Sequence, residues 1–178
     1  MIAKFIAVAF AALLFLPAAA SAATLDPQNT LYLDLPAGRV VIQLRPDLAP
    51  KHVERVKTLA RQGFYDGTPF HRVIDGFMAQ GGDPTGTGTG GSKLPDLKAE
   101  FTKTNFGRGT IGAARTDDPD TANSQFFICF QDCSFLNGKY TVWGQVVEGM
   151  EFVDQLAKGE PPPKPDHIVK AQIAADVK

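Results

Sequence analysis

The sequence predicts one mainly β domain, built as a barrel or a sandwich and accompanied by two short helices. Three observations lead to this prediction. An alternating apolar pattern begins near residue 31, short apolar runs separated by Gly, Pro, Asn and Asp follow it, and only two segments show helical spacing. About eight strands account for the apolar runs. The sequence contains no internal repeat.

Residues 1–22 are typical of a secretory signal peptide. A single lysine, Lys4, precedes the apolar run Phe5–Leu16, and a proline and small residues then lead to Ala22. The run is shorter than the ~20 residues that span a bilayer, so an uncleaved membrane anchor is the less favoured alternative. We expect cleavage after Ala22, which leaves residues 23–178 as a single domain in the periplasm, without membrane attachment.

A β-hairpin and a helix are predicted to open the domain. Leucines alternate with other residues over 31–35, residues 36–38 provide a turn, and the alternation resumes over 40–44, which predicts two antiparallel strands with one buried face. Pro50 then begins a segment with apolar residues at helical spacing, and Gly63 stands where a glycine ends a helix. A helix of about three turns fits this segment.

The middle of the chain, between Gly63 and Gly149, is predicted to hold most of the remaining strands. Short apolar runs alternate there with turn-forming residues, a spacing typical of a barrel or a sandwich. The runs are Phe70–Ile74, Thr110–Ala114, Gln125–Phe130 and Thr141–Val147.

The C-terminal part is predicted to form a second helix and a last strand. Apolar residues over 150–156 have helical spacing, and Gly159 stops the pattern. Prolines between 161 and 165 make a stiff connector, and the alternation over 173–177 predicts the strand.

Two long loops are predicted from composition, Pro84–Ser92 and Thr116–Asn123. Both are long for a compact domain, and long ordered loops are often functional. The first is rich in glycine, but it lacks the Gly-Lys-Ser/Thr ending of a phosphate-binding loop and does not open a helix, so nucleotide binding is not expected.

Charge and residue spacing argue against several other functions. Loss of Lys4 with the leader leaves 17 basic against 19 acidic residues without a long run of either sign, so nucleic acid is not an expected partner. The histidines at 52, 71 and 167 are scattered, so no metal site is expected. No Gly-x-Ser-x-Gly motif is present, and no cofactor is expected.

Cys129 and Cys133 are the two cysteines of the chain, and an exported protein permits a disulfide. On one extended strand their Cα atoms would be roughly 13 Å apart, beyond the ~7 Å limit for a disulfide. A turn at residues 131–132 would bring them together. We favour a buried, free Cys129 in a strand and leave the redox state of the pair open.

Two segments carry an unusual mixture of apolar and hydrogen-bonding side chains, Phe70–Asp83 and Ser124–Ile128. On a pleated strand, Met78 and Gln80 share one face and line the same groove. Together the two segments would supply an apolar slot rimmed by one cation and several amides.

At these residues the chain closely resembles the cyclophilin family. Phe70–Asp83, Ser124–Ile128 and Phe135–Lys139 occur in the family's order, and the similarity extends over nearly all of the mature chain. The resemblance implies a closed eight-stranded antiparallel β-barrel capped by two α-helices, with the active groove on its outer face. It also implies peptidyl-prolyl cis/trans isomerase activity without a cofactor.

The resemblance also implies the site residues. Arg72 corresponds to the family's catalytic arginine and Gln80 to the glutamine beside it, while His71 is interpreted as a structural hydrogen-bonding neighbour of Arg72 rather than a base. The implied catalytic residues are Arg72, Phe77, Gln80 and Phe127, and the implied substrate-binding residues are His71, Met78, Ala114, Arg115, Gln125, Phe135, Leu136 and Tyr140.

Three rim positions depart from many eukaryotic members of the family. Phe135 replaces a tryptophan, Tyr140 a histidine and Arg115 an asparagine. The first two resemble the bacterial exported branch. Because Phe135 lacks an indole N–H, we expect only weak binding of cyclosporin, the family's cyclic peptide inhibitor.

We therefore expect a monomeric isomerase that acts on X-Pro bonds in unfolded or partly folded exported proteins. The alternative is a proline-binding or chaperone module without significant turnover. Taken singly, Phe77, Met78 and Phe127 also suit a hydrophobic core, and Arg72 also suits a surface ion pair. The client proteins cannot be inferred from the sequence.

Overall fold

The computed structural model describes residues 24–177, so the predicted signal peptide lies outside the described residues. Within these residues, eight strands form one antiparallel sheet and two α-helices accompany it, as the sequence predicts, while three short 3₁₀ turns were not predicted. The strands are β1 (Thr30–Leu35), β2 (Gly38–Leu44), β3 (Arg72–Ile74), β4 (Met78–Gly81), β5 (Thr110–Ala113), β6 (Phe126–Cys129), β7 (Val142–Glu148) and β8 (Lys170–Ile173). The helices are α1 (Pro50–Arg61) and α2 (Met150–Asp154), and the turns are Pro27–Asn29, Ser134–Leu136 and Ala174–Asp176.

The predicted hairpin and first helix are both confirmed. β1 pairs with β2 in antiparallel register, with Leu35 opposite Gly38. α1 has proline in its first turn, and Gly63 beyond its end adopts a left-handed φ of 66°. Its amide donates to Ala60 O at 3.0 Å and so satisfies a carbonyl of the last turn.

The sheet is open, which corrects the prediction of a closed barrel. Its strand order is β3-β4-β6-β5-β7-β2-β1-β8, so β3 and β8 are edges that do not pair with each other. Irregular backbone joins these edges instead, through isolated bridges between Pro69 and His167 and between Val73 and Gly159. The segment beside β3 contains prolines at 161, 162, 163 and 165, which lack the N–H groups that a continuous ladder needs.

The C-terminal elements also differ from the prediction. α2 ends at Asp154 rather than near Gly159, and the last strand is Lys170–Ile173. Residues 174–176 form a 3₁₀ turn, so the apolar alternation over 173–177 does not continue as a strand. β8 extends only as far as it pairs with β1, and the strand ends where this pairing ends. Among the described residues, no helix has the length and apolar character needed to cross a membrane.

Two apolar clusters lie on opposite faces of β6. Phe126 and Ile128 join the main core with α1 and α2, whereas Phe127 and Cys129 join a second cluster without α-helical residues. Successive side chains of a strand point to opposite faces, so the continuous run Phe126–Cys129 is buried on both sides. The second cluster consists of Met78, Phe106, Phe127, Cys129, Cys133, Leu136 and Val142.

Candidate active site

One groove of about 680 Å³ opens over the second cluster and brings together most of the residues identified from sequence. Ten of the twelve line it: His71, Arg72, Phe77, Met78, Gln80, Ala114, Arg115, Phe127, Leu136 and Tyr140. Gln125 instead lines a neighbouring cavity that shares Gln80, Ala114 and Arg115 with the groove. Phe135 lies at the rim, 59% exposed, with its ring centroid 5.4 Å from that of Phe77.

The floor of the groove is apolar and rigidly packed. Met78, Phe127 and Leu136 are all at least nine-tenths buried. The Phe127 ring stacks on Phe106 at 5.7 Å between centroids and meets the edge of Tyr140 at 5.5 Å. A floor of this kind suits a small apolar ring, because such a ring displaces water without leaving polar groups unpaired.

Arg72 places the cation at the wall of this groove. It begins β3 and pairs in register with Gln80 of β4, and its Nη1 donates to Gln80 Oε1 at 3.5 Å. Its Nε donates to Glu160 Oε2 at 2.7 Å. The Arg72 side chain is 41% exposed, so the guanidinium is open to a molecule in the groove.

A chain of amide side chains links the arginine to the glycine-rich loop. Gln80 Nε2 donates to Gln125 Oε1 at 3.0 Å, and Gln125 Nε2 donates to the carbonyls of Gly88 and Gly90 at 3.0 and 2.8 Å. Gln125 therefore supports the groove from behind although it does not line it.

Asp83 fixes the glycine-rich loop, whose residues 86–88 form one wall of the groove. The fully buried carboxylate accepts hydrogen bonds from the Thr85 hydroxyl and from the amides of Thr85, Gly88 and Gly90. Burial alone would raise the pKa of Asp83, but these bonds outweigh burial and lower the pKa to about 2. The loop is thus held around a permanent negative charge at neutral pH.

His71 lies at the same wall of the groove. Its ring is buried, and neither nitrogen makes a hydrogen bond with any described residue, although the Pro69 carbonyl lies near. The interpretation of His71 as a structural hydrogen-bonding neighbour of Arg72 therefore stays a prediction. Burial lowers the pKa of His71 more than the charge of Asp83 raises it, so the ring is neutral at pH 7.

Arg115 is held on the opposite wall. Its guanidinium lies 4.4 Å from the centre of the Tyr140 ring and donates to the carbonyls of Thr116 and Lys139 at 2.7 and 2.9 Å. These contacts tie the loop after β5 to the segment before β7. Arg115 therefore contributes a stiff wall to the groove.

Both cysteines are buried and free in the structure. Cys129 lies in β6, as predicted, and the Cys133 thiol is 3.6 Å from the Phe77 carbonyl oxygen. Burial raises the pKa of each thiol, which leaves both protonated at neutral pH. Neither has the exposed thiolate that nucleophilic catalysis needs.

Outside the glycine-rich loop, two residues that line the groove, Glu160 and Pro161, were not identified from sequence. They belong to the proline-rich segment that appears from composition to be only a connector. No local pattern reveals their place, because it depends on pairing with β3. Among residues 24–177, no group of three His, Cys, Asp or Glu side chains is arranged to hold a metal ion.

Comparisons with known proteins agree with this geometry. The family model for cyclophilin type peptidyl-prolyl cis-trans isomerases matches residues 30–173. A probable peptidyl-prolyl cis-trans isomerase of Brucella suis biovar 1 is 52% identical, with 97% of this chain and 95% of the relative covered. The human peptidyl-prolyl cis-trans isomerase-like 1 is 41% identical, with 76% of this chain and 82% of the relative covered.

Solved structures show the same fold. A cyclophilin from Hirschia baltica has a TM-score of 0.80 and 30% identity, covering 86% of this chain and 77% of its own. A cyclophilin-type isomerase from Cryptosporidium parvum was crystallised in the presence of the dipeptide Ala-Pro. It has a TM-score of 0.75 and 29% identity, and the match covers 81% of this chain and 98% of that chain. The chain therefore belongs to the cyclophilin-type peptidyl-prolyl cis-trans isomerases.

Proposed function

We propose that this isomerase works in the groove described above, with Arg72 as the hydrogen-bond donor that stabilises the twisted X-Pro amide. One observation carries the proposal: the Arg72 guanidinium lines the same groove as Phe77 and the apolar floor of Met78, Phe127 and Leu136. A proline ring placed on that floor lies within reach of the cation.

The reaction requires electrostatic stabilisation rather than covalent chemistry. Rotation about the X-Pro bond is opposed by ~18–20 kcal/mol, because the amide has partial double-bond character. When the amide twists, conjugation is lost and the prolyl nitrogen becomes basic. Arg72 is always protonated and offers several fixed donors, so it can donate to that nitrogen or to the proline carbonyl.

The groove supplies the other requirement, which is a fixed proline. Buried Met78, Phe127 and Leu136 hold the ring while the acyl side of the bond rotates, and the limited access of water strengthens the field of Arg72. Acceleration to the millisecond range is about 10⁴–10⁵-fold, or about 5.5–7 kcal/mol of preference for the transition state. One charged hydrogen bond combined with anchoring is of this order.

The substrates are proline-containing segments of unfolded or partly folded polypeptides. Support comes from the Cryptosporidium parvum relative, which was crystallised in the presence of the dipeptide Ala-Pro, and from an apolar floor that suits a proline ring. We propose that the enzyme acts as a monomer, and that cyclosporin binds weakly at the rim formed by Phe135.

The test is the activity of Arg72→Ala, measured by exchange NMR on a short X-Pro peptide. We expect kcat/KM to fall at least about tenfold, or by about 1.4 kcal/mol, with circular dichroism unchanged. Arg72→Lys keeps the charge but loses the fixed, planar set of guanidinium N–H donors, so we expect its activity to lie between those of Arg72→Ala and wild type. Wild-type activity in Arg72→Ala contradicts the proposal, and peptide binding without turnover by the wild-type chain favours a binding module.

We also propose that the enzyme belongs to the bacterial exported branch and assists folding in the periplasm. The supporting observations are the composition of residues 1–22 and the identities of Phe135 and Tyr140. Expression of the full chain in a Gram-negative host should give periplasmic protein that begins at Ala23. A chain that starts at Ala23 is the matched control and should stay in the cytoplasm. Recovery of full-length chain in the membrane fraction supports an uncleaved anchor instead.

A further inference from the structure

We propose that Glu160 is a positioning residue for the reaction: it holds the Arg72 guanidinium in the orientation that presents its free N–H groups to the substrate. The proposal deepens the function proposed above and rests on the role of Arg72 in it. It concerns a residue of the proline-rich stretch after α2, which forms no strand.

The backbone places Glu160 directly opposite Arg72. Val73 and Gly159 form an antiparallel bridge, with amide-to-carbonyl distances of 2.8 and 2.9 Å in the two directions. In an antiparallel pair, the residue before one partner faces the residue after the other. The carboxylate of Glu160 is therefore carried to Arg72 by a fixed piece of backbone rather than by a free loop.

Gly159 is required for this placement. Its φ is 146°, and a Cβ there would lie 2.6 Å from the Cα of Pro162 and 2.9 Å from the carbonyl oxygen of Pro161. The chain therefore turns sharply just before Glu160, in a conformation that other residues rarely adopt.

The guanidinium is held at two of its three nitrogens. Nε donates to Glu160 at 2.7 Å, and Nη1 lies 3.5 Å from Gln80 Oε1. Nη2 finds no acceptor among residues 24–177 and keeps both of its N–H groups for a ligand in the groove. Because Gln80 is at the limit of hydrogen-bond distance, Glu160 is the stronger of the two supports.

Stability of the fold does not explain this ion pair. The Arg72 and Glu160 side chains are 41% and 53% exposed, and pairs this exposed contribute little to stability. Orientation is the more useful effect, since a long arginine side chain fixed before the substrate arrives need not be ordered during the reaction. A glutamine can accept the same Nε–H bond without charge, which separates orientation from electrostatics.

The experiment measures kcat and KM for a neutral X-Pro peptide in wild type and in five variants, one of which is Arg72→Ala alone. We expect Glu160→Ala to lower kcat about three- to tenfold with KM unchanged, while Glu160→Gln stays within about twofold of wild type because it keeps the acceptor. In the Arg72→Ala background, Glu160→Ala should have no further effect. Glu54→Ala removes another exposed ion-pair carboxylate, that of the pair with Lys51, and should leave activity unchanged.

The outcomes separate this inference from the proposed function. Full activity of Arg72→Ala overturns the role of Arg72 itself. If Arg72→Ala is slow, two results overturn only the positioning role of Glu160. One is full activity of Glu160→Ala, and the other is an equal loss from Glu160→Ala in the wild-type and Arg72→Ala backgrounds. Equal losses in Glu160→Ala and Glu160→Gln show an effect of charge and also overturn it. Urea unfolding midpoints confirm that each variant is folded.

Discussion

Gly112 makes room for the ring that forms the floor of the groove, and Gly112→Ala is expected to disturb both stability and activity. Gly112 of β5 lies directly opposite Phe127 of β6. A Cβ at this position would lie 2.8 Å from Cε1 of Phe106 and 2.8 Å from Cε1 of Phe127, and closer still to Cζ of Phe127. Carbon atoms pack at about 3.5–4.0 Å, so the rings must move by about 1 Å.

The size of the effect follows from this displacement. Overpacking of a well-packed interior costs about 1–3 kcal/mol, and in a domain of this size each kcal/mol lowers the melting temperature by about 2–4 °C. The displaced Phe127 ring also narrows the proline site. We expect kcat/KM to fall about 10- to 100-fold, because an error of about 1 Å in placement costs up to two orders of magnitude.

The assay combines urea unfolding with exchange NMR on an X-Pro peptide. Gly107→Ala is the matched control, because a Cβ there meets only Asn105 Nδ2 at an ordinary 3.7 Å. A second arm tests the cause: in a Phe127→Leu background the smaller side chain leaves space, so Gly112→Ala should cost less stability. If Gly112→Ala matches wild type in both unfolding midpoint and kcat/KM, the reasoning is refuted.

Three further predictions concern pH, thiol reactivity and inhibitor binding. Burial lowers the pKa of His52 more than the Glu100 carboxylate raises it, so the free energy of unfolding should fall as the pH drops below about 6.5. His52→Asn keeps a hydrogen-bond donor toward Glu100 and should reduce that fall, as measured by urea unfolding. An unchanged dependence of stability on pH in this variant contradicts the prediction. Burial raises the pKa of Cys129 and Cys133, so a thiol reagent should label the urea-unfolded chain far faster than the native one; equal rates argue against the structure. Phe135→Trp adds an N–H donor at the rim and should tighten cyclosporin binding about three- to tenfold, the effect of one hydrogen bond. If calorimetry shows no gain in affinity, the missing N–H donor does not explain weak cyclosporin binding.

Local patterns predicted the parts of the fold that depend on neighbours in sequence. The hairpin over 31–44 follows from strict alternation, and α1 follows from a proline at its start and a glycine after its end. α2 and β8 were placed less well. Their lengths depend on contacts with other strands, and an alternating pattern over 173–177 does not reveal where pairing with β1 stops.

The candidate site divides in the same way. Ten of the twelve residues inferred from resemblance line one groove, because they occur in segments whose order and spacing are specific. Glu160 was missed because its pairing partner lies 88 residues away in the sequence. The role of Asp83 in holding the glycine-rich loop was also missed, since an aspartate beside glycines resembles any polar loop residue.

Because the sheet is open at β3, substitutions that affect the surroundings of Arg72 are separate from substitutions that affect the core. Arg72 is the first residue of an edge strand, and its neighbour on the open side is supplied by a segment with little regular structure. Substitutions in that segment alter the surroundings of the arginine while the interior that determines the shape of the domain remains as it was. Substitutions in this stretch are therefore expected to change the rate of isomerisation without changing the fold, which makes it the natural target for engineering the rate.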